Sequence, residues 1–349
     1  MNNSPLHMPV RLDLAEAIAN LRRQGTPPRV FQFEHGIEPP VKQALCERFE
    51  LCQGLDPADR HYELRRDIRV HEWIGLEFMR VMVYPPGLVW HGNPAGQIPP
   101  AVGPIQSWAD FEAYPWPDVN DIDFSALDWL ETELPDEMAT WAMVYLFQKV
   151  SDLIGFEPMC AMVYEQPDLL QAVAERVTEF SLAYAQRMCA YRRCQAIGIG
   201  DDLGHKTGTL LAPAHIREFF IPGHTAIADA VHAAGRLCIF HSCGLVTGIM
   251  DDLINTVRCD AHHSTQDVIM PITEMKRRYG ARIALLGGVD VDFVTRARVE
   301  QVRPYVRNIL ERCVPGGGFA LGVGNWVAAS IPLENYLALI EEARCFGPA

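Results

Sequence analysis

Residues 213–244 read PAHIREFFIPGHTAIADAVHAAGRLCIFHSCG. A proline opens a segment of helical period that runs to Ala234, Gly235 ends it, and the apolar run Leu237-Cys238-Ile239-Phe240 follows before polar residues return. Proline suits the first turn of a helix and glycine the residue just past its end. A short apolar run bounded in this way reads as a strand buried on both faces. The unit is helix, turn and buried strand, and the strand gives out into His241, Ser242 and Cys243.

The same unit recurs on either side. From about residue 139 onward, apolar runs at Thr140–Tyr145, Ala196–Gly200, Arg236–Phe240, Asp260–His263, Arg282–Leu286 and Phe319–Val323 alternate with longer segments of helical period. Pro167–Arg192, Pro213–Ala234 and Val299–Cys313 are the best marked of these helices. Upstream, Arg29–Phe33 and Glu77–Val83 add two more runs, which brings the count to eight. Strands alternating with helices imply a parallel sheet. The expectation is an α/β protein, a single (β/α)8 TIM barrel over residues 1–349 with an N-terminal extension before the first strand. An open doubly wound sheet is the competing arrangement, but it calls for G-x-G-x-x-G after an early strand, and here the first run leads into Phe33-Glu34-His35-Gly36. Between the second and third runs, residues 85–135 form a long insertion rich in proline and tryptophan, with Trp90, Trp108, Trp116 and Trp129. It is expected to act as a lid or a subunit contact.

Composition narrows the functional classes. A formal net charge of −14, with no dense block of lysine and arginine, argues against nucleic acid as a partner. Ten cysteines without a C-x-x-C pair fit reduced thiols in the cytoplasm. Residues 1–11 lack the apolar core of a secretory signal. No apolar stretch is long enough for a membrane helix.

A barrel of this kind collects its chemistry where the strands end. Those positions supply Glu34 and His35, Tyr145 and Gln148, Asp201, Asp202, His205 and Lys206, His241, Ser242 and Cys243, His262, His263 and Gln266, Asp290, and Asn325. Burying such groups is costly unless they are paired, so their recurrence after apolar runs points to a shared pocket. Glu34, His35, Tyr145, Gln148, His263, Gln266, Asp290 and Asn325 are the candidates for binding substrate. Asp202, His205 and His241 are the candidates for catalysis. His241 and Cys243, two residues apart, offer an imidazole and a thiolate to an ion such as zinc; the alternative is a substrate-binding histidine beside a packed cysteine. Of the adjacent carboxylates, Asp202 is expected to face the pocket and Asp201 to cap the loop. Gly287-Gly288-Val289-Asp290 reads either as a close approach to ligand or as a turn in which Asp290 caps the next helix.

These residues also carry a resemblance. Gly200-Asp201-Asp202-Leu203-Gly204, Ala212-Pro213, Phe219-Phe220-Ile221-Pro222, Phe240-His241-Ser242-Cys243-Gly244, Gly287-Gly288-Val289-Asp290 and Ile331-Pro332-Leu333-Glu334-Asn335 resemble, in order and spacing, the uroporphyrinogen decarboxylase superfamily. That superfamily includes the haem-pathway decarboxylase and cobalamin-dependent methyltransferases. The resemblance implies a (β/α)8 barrel, a homodimer and, in the methyltransferase branch, a zinc held by a His-x-Cys pair and a distant cysteine. His241 and Cys243 match the pair, and Asn325 stands where that cysteine is expected. A third ligand would then come from Asp202, Glu34 or a histidine. The activity implied is corrinoid-dependent methyl transfer from a small methoxylated or methylated substrate, with the corrinoid on a separate protein. The alternative is a decarboxylase or lyase of a small carboxylated substrate. Uroporphyrinogen itself is not the expected substrate, because Glu34 stands where the resemblance implies arginines that hold a polyanion, and the net charge of −14 works against one as well.

Overall fold

The computed structural model describes residues 5–83 and 101–347. Its strands are β1 Phe78–Arg80, β2 Ala139–Val144, β3 Cys194–Gly200, β4 Leu237–His241, β5 Ala261–His263, β6 Ala284–Val289 and β7 Phe319–Val323. Each coincides within a few residues with an expected run. The chain forms two compact units, one of Met1–Arg80, Leu130–Trp141 and Asp260–Ala349, the other of Val81–Trp129 and Ala142–Cys259.

In the first unit β1 pairs in parallel with the start of β2, and β5, β6 and β7 pair in parallel in that order. The eighth expected run, Arg29–Phe33, is present as a single parallel bridge between Gln32 and Leu321 of β7. Phe33 N donates to Leu321 O and Leu321 N to Phe31 O. The ladder is short because Pro27 and Pro28 immediately upstream have no N–H to give. In the second unit β3 and β4 pair in parallel, with Gly200 opposite His241 at the end of the ladder. β2, β4, β6 and β7 are buried at every position, as strands covered on both faces must be.

The expected helix Pro213–Ala234 is two helices, Pro213–Phe219 and Ile221–Ala233. Pro222 disfavours helical backbone at the residue before it and has no N–H for the preceding turn, so the break falls at Phe220. The helix that begins at Pro167 stops at Cys189, short of Arg192. Within the insertion, residues 84–100, Trp90 among them, lie outside the described residues. Its remainder holds the short helices Trp108–Ala113 and Ser125–Glu133. There Phe111 meets Trp108 at 5.7 Å and Trp116 at 5.4 Å between ring centroids, so these aromatics pack against each other. No helix among the described residues is long and apolar enough to cross a membrane.

Candidate functional site

The register at Gly200 and His241 sets the course of both segments beyond the sheet. Past the ladder, the residues after β3 and β4 stay zipped together. Asp201 N donates to His241 O, Leu203 N to Ser242 Oγ, Gly204 N to Cys243 O, and Leu245 N to His205 O. The close crossing requires glycine: a Cβ on Gly244, whose φ is +81°, would lie 2.2 Å from the carbonyl carbon of Gly204. With the two backbones locked side by side, Asp202 falls next to the His-x-Cys pair. Its Oδ1 accepts from Cys243 N at 2.8 Å and lies 3.7 Å from His241 Nε2, which is 3.8 Å from Cys243 Sγ. One ligand atom from each of the three lies within 4.8 Å of the others, the one such grouping of three or more among the described residues. His241 is buried, whereas the Asp202 side chain is 48% exposed, so the cluster has an open side.

Asp201 has a different task. Its carboxylate is fully buried and accepts from the backbone N–H groups of Leu146, Phe147 and Gln148 and from the ring of His224 at 2.7 Å. Four donors on one carboxylate fix the exit of β2 onto the helix Phe147–Ile154. Sequence reasoning does not single out His224, because it sits on the apolar face of its helix, one turn after Phe220. On the same stretch as Gln148, Gln148 Nε2 and Lys149 Nζ both reach Asp152, at 3.3 and 2.9 Å. Burial pulls the Lys149 ammonium below its usual range, against the pull of Asp152. The Tyr145 hydroxyl contacts Met143 Sδ at 3.9 Å. His205 is exposed, and its backbone carbonyl, rather than its ring, holds the loop.

The first unit carries a second cluster. Glu34 is buried, accepts from Val323 N at 3.1 Å and lies 3.3 Å from the Tyr336 hydroxyl. Burial raises its carboxyl well above the usual range, against the Val323 N–H and the Tyr336 hydroxyl, which favour the charged form. His35 stacks on His263 at 5.3 Å with planes 20° apart, and Trp141 and Trp326 each approach it at 5.8 Å. His263 Nε2 lies 3.3 Å from Val323 O. Arg80, at the end of β1, reaches both the ring and the carbonyl of His35. Sequence reasoning passes over this arginine because the apolar run Glu77–Val83 continues beyond it.

Two other candidates serve the backbone. Asp290 caps the helix Val291–Arg296 through Phe293 N and also accepts from Asp267 N, as in the capping-turn reading of Gly287-Gly288-Val289-Asp290. Gln266 is exposed in a turn closed by bonds from Ile269 and Met270 to its carbonyl. Asn325 is half-buried in the loop after β7. The buried His262, beside His263, is pushed down to about 4 by desolvation and stays neutral.

With this geometry in view, the chain can be set beside known proteins. A family model described as Uroporphyrinogen decarboxylase (URO-D) matches residues 92–346. A uroporphyrinogen decarboxylase of Coxiella burnetii (strain RSA 493 / Nine Mile phase I) is 29% identical over 194 residues, 53% of this chain and 50% of that protein. Another, of Alkalilimnicola ehrlichii, is 26% identical over 267 residues, covering 72% of this chain and 70% of that protein. The chain thus spans about half the length of the Coxiella relative. Among solved structures, a methyltransferase from Methanosarcina mazei superposes with a TM-score of 0.70 at 20% identity, over 95% of this chain and 98% of that one. At that identity the likeness is one of fold.

Proposed function

Because this chain belongs to the uroporphyrinogen decarboxylase family, with the match spanning residues 92–346, we propose that it is a cytoplasmic (β/α)8-barrel enzyme of the family's methyl-transferring kind. In this reading it is a corrinoid-dependent methyltransferase that demethylates a small methoxylated or methylated substrate, the methyl group passing to or from a corrinoid on a separate protein. The observation that carries the reading is the convergence of Asp202, His241 and Cys243 within 4.8 Å.

The donor set fits zinc. Tetrahedral zinc with bonds of about 2.0–2.3 Å puts neighbouring ligand atoms roughly 3.3–3.6 Å apart; the two separations from His241 are 3.7 and 3.8 Å and all three lie within 4.8 Å, so the side chains would draw together to hold the ion. Asp202 takes the place that the resemblance gives to a cysteine, where this chain has Asn325. A zinc there supplies Lewis acidity toward the heteroatom that carries or receives the methyl group. The protein's own part is to hold three ligands rigidly: Cys243 N–H orients the Asp202 carboxylate, and the zipped backbones fix His241 against it. The exposed half of Asp202 marks the side from which substrate enters. Asp202 then acts as a ligand, and the proton work expected of it passes to the exposed imidazole of His205. In the second unit Tyr145 and Gln148 remain proposed substrate contacts, in the first unit His35 and His263 do, each within its own unit, and a homodimer is the proposed assembly.

The test is to incubate the protein with cob(I)alamin and a panel of methoxylated and methylated donors while following the absorbance of methylcobalamin. Methylcobalamin formation that is lost in His241→Ala is expected. Release of CO2 from carboxylated substrates without cobalamin would overturn the reading in favour of a second one, a decarboxylase or lyase. The specific observation that favours this second reading is the similarity to proteins named uroporphyrinogen decarboxylase.

A further inference from the structure

The helix Pro39–Phe49 ends on a reversal that brings two thiols together. Glu50, at φ 55°, takes left-handed backbone, and Cys46 O accepts from the N–H groups of both Glu50 and Leu51. Bonds from Gln53 N to Glu50 O and from Leu55 N to Cys52 O keep the chain coiled at the helix end. Cys52 thereby returns to Cys46, and their side chains are hydrogen-bonded. The next helix, Tyr62–Ile74, completes the group. Its Tyr62 hydroxyl is hydrogen-bonded to Cys52 as well, and the ion pair of Lys42 with Asp67 ties the two helices together.

The two sulfurs are not equivalent. Cys46 is buried and Cys52 half-buried, so a small solute reaches Cys52 first. Burial, and then the hydrogen bond from Cys52, push the Cys46 thiol up to about 12. The hydrogen bond with Cys52 also raises the Tyr62 phenol, and the Arg66 guanidinium is near enough to act on both groups. Cys46 and Tyr62 thus keep their protons, and both direct them at the Cys52 sulfur. Elsewhere, burial and Glu157 raise the half-buried Cys160 thiol, and burial with Glu341 and Glu342 raises that of the exposed Cys345. Carboxylates beside a thiol work against its reactive form, whereas proton donors and a cation favour it.

We propose that Cys52 is an oxidation site for a small hydroperoxide, with Cys46 as its resolving partner, so that the two close into a disulfide at the end of the helix Pro39–Phe49. Sulfur of Cys52 attacks a peroxide oxygen, the O–O bond breaks, and hydrogen peroxide leaves one oxygen on sulfur as a sulfenic acid and the other as water. Sulfur of Cys46 then displaces that oxygen. The S–S bond forms, the S–O bond breaks, and the Cys46 proton departs with the hydroxide as a second water. The two thiols supply the two electrons that reduce the peroxide. This inference rests on the first unit alone and is independent of methyl transfer.

The full chain is treated with roughly equimolar hydrogen peroxide, unfolded in urea with an alkylating agent, and digested with trypsin without reductant. Trypsin cuts after Arg48, which places Cys46 in the peptide 43–48 and Cys52 in 49–60. Mass spectrometry should find these two peptides joined, two alkylated thiols fewer than the ten of the chain, and both thiols restored by dithiothreitol. The link should form before oxidation appears at Cys160. In Cys46→Ser, dimedone should trap a sulfenic acid on Cys52. Oxidation of Cys160 while Cys46 and Cys52 both remain alkylated would overturn the proposal. So would conversion of wild-type Cys52 to the sulfinic acid with Cys46 left as a thiol.

Discussion

Replacing Glu34 by glutamine removes one titrating proton from the interior and keeps the shape and the hydrogen-bonding atoms. In the folded protein burial raises this carboxyl well above 4.5, with Val323 N–H and the Tyr336 hydroxyl pulling weakly the other way. A group whose folded value is raised contributes stability that is complete below its unfolded value and is lost as pH rises toward the folded one. As pH rises above the ordinary glutamate value, then, the wild type loses stability relative to Glu34→Gln. Between pH 5 and pH 7 the difference should move in favour of glutamine. Urea unfolding of both proteins at pH 5, 6 and 7 measures it directly, provided the m-values agree. A difference that stays constant, or that moves toward the wild type as pH rises, would mean that Glu34 is ionised in the fold. The account of burial raising this carboxyl would then be wrong.

The buried pair in the second unit gives a sharper loss. Asp201→Asn puts an amide among backbone N–H donors and strands His224, and should cost about 3–5 kcal/mol in chemical denaturation; a loss below about 1 kcal/mol would contradict the four-donor arrangement. Gly244→Ala forces a Cβ into the crossing with Gly204, so it should lower thermal stability and weaken zinc binding together, whereas Gly235→Ala, with open space around its Cβ, should leave zinc binding unchanged. His262, held near 4 by burial, should show no imidazole titration by NMR between pH 7 and pH 5, and a midpoint near 6.5 would refute its burial as a neutral group.

The sequence disclosed the strands because each is an apolar run ended by polar residues, a pattern that survives without knowledge of tertiary contacts. It located the ends of β1 and of the paired helices less well, since a run such as Glu77–Val83 stays apolar beyond the point where hydrogen bonding stops. The Asp202, His241 and Cys243 cluster was half legible. His241 and Cys243 are close in the chain, but Asp202 joins them only through the register of β3 on β4, which no local pattern encodes. Asp290 and Glu34 looked functional because they are polar at strand ends, yet one caps a helix and the other is buried against Tyr336. The polar residues at strand ends serve backbone and ligand alike, and only their partners tell the two apart. Arg80 and Trp326 lie far apart in sequence and acquire meaning from His35 between them.

The central claim is that an oxygen, a nitrogen and a sulfur ligand from Asp202, His241 and Cys243 form one metal site. Zinc content by mass spectrometry, after dialysis of wild type, Asp202→Ala, His241→Ala, Cys243→Ser and Asn325→Ala, tests it most directly. The account predicts roughly one zinc per chain in the wild type and in Asn325→Ala, and a clear loss in the other three. A wild type without zinc, or an Asp202→Ala protein that keeps its full content, would contradict it.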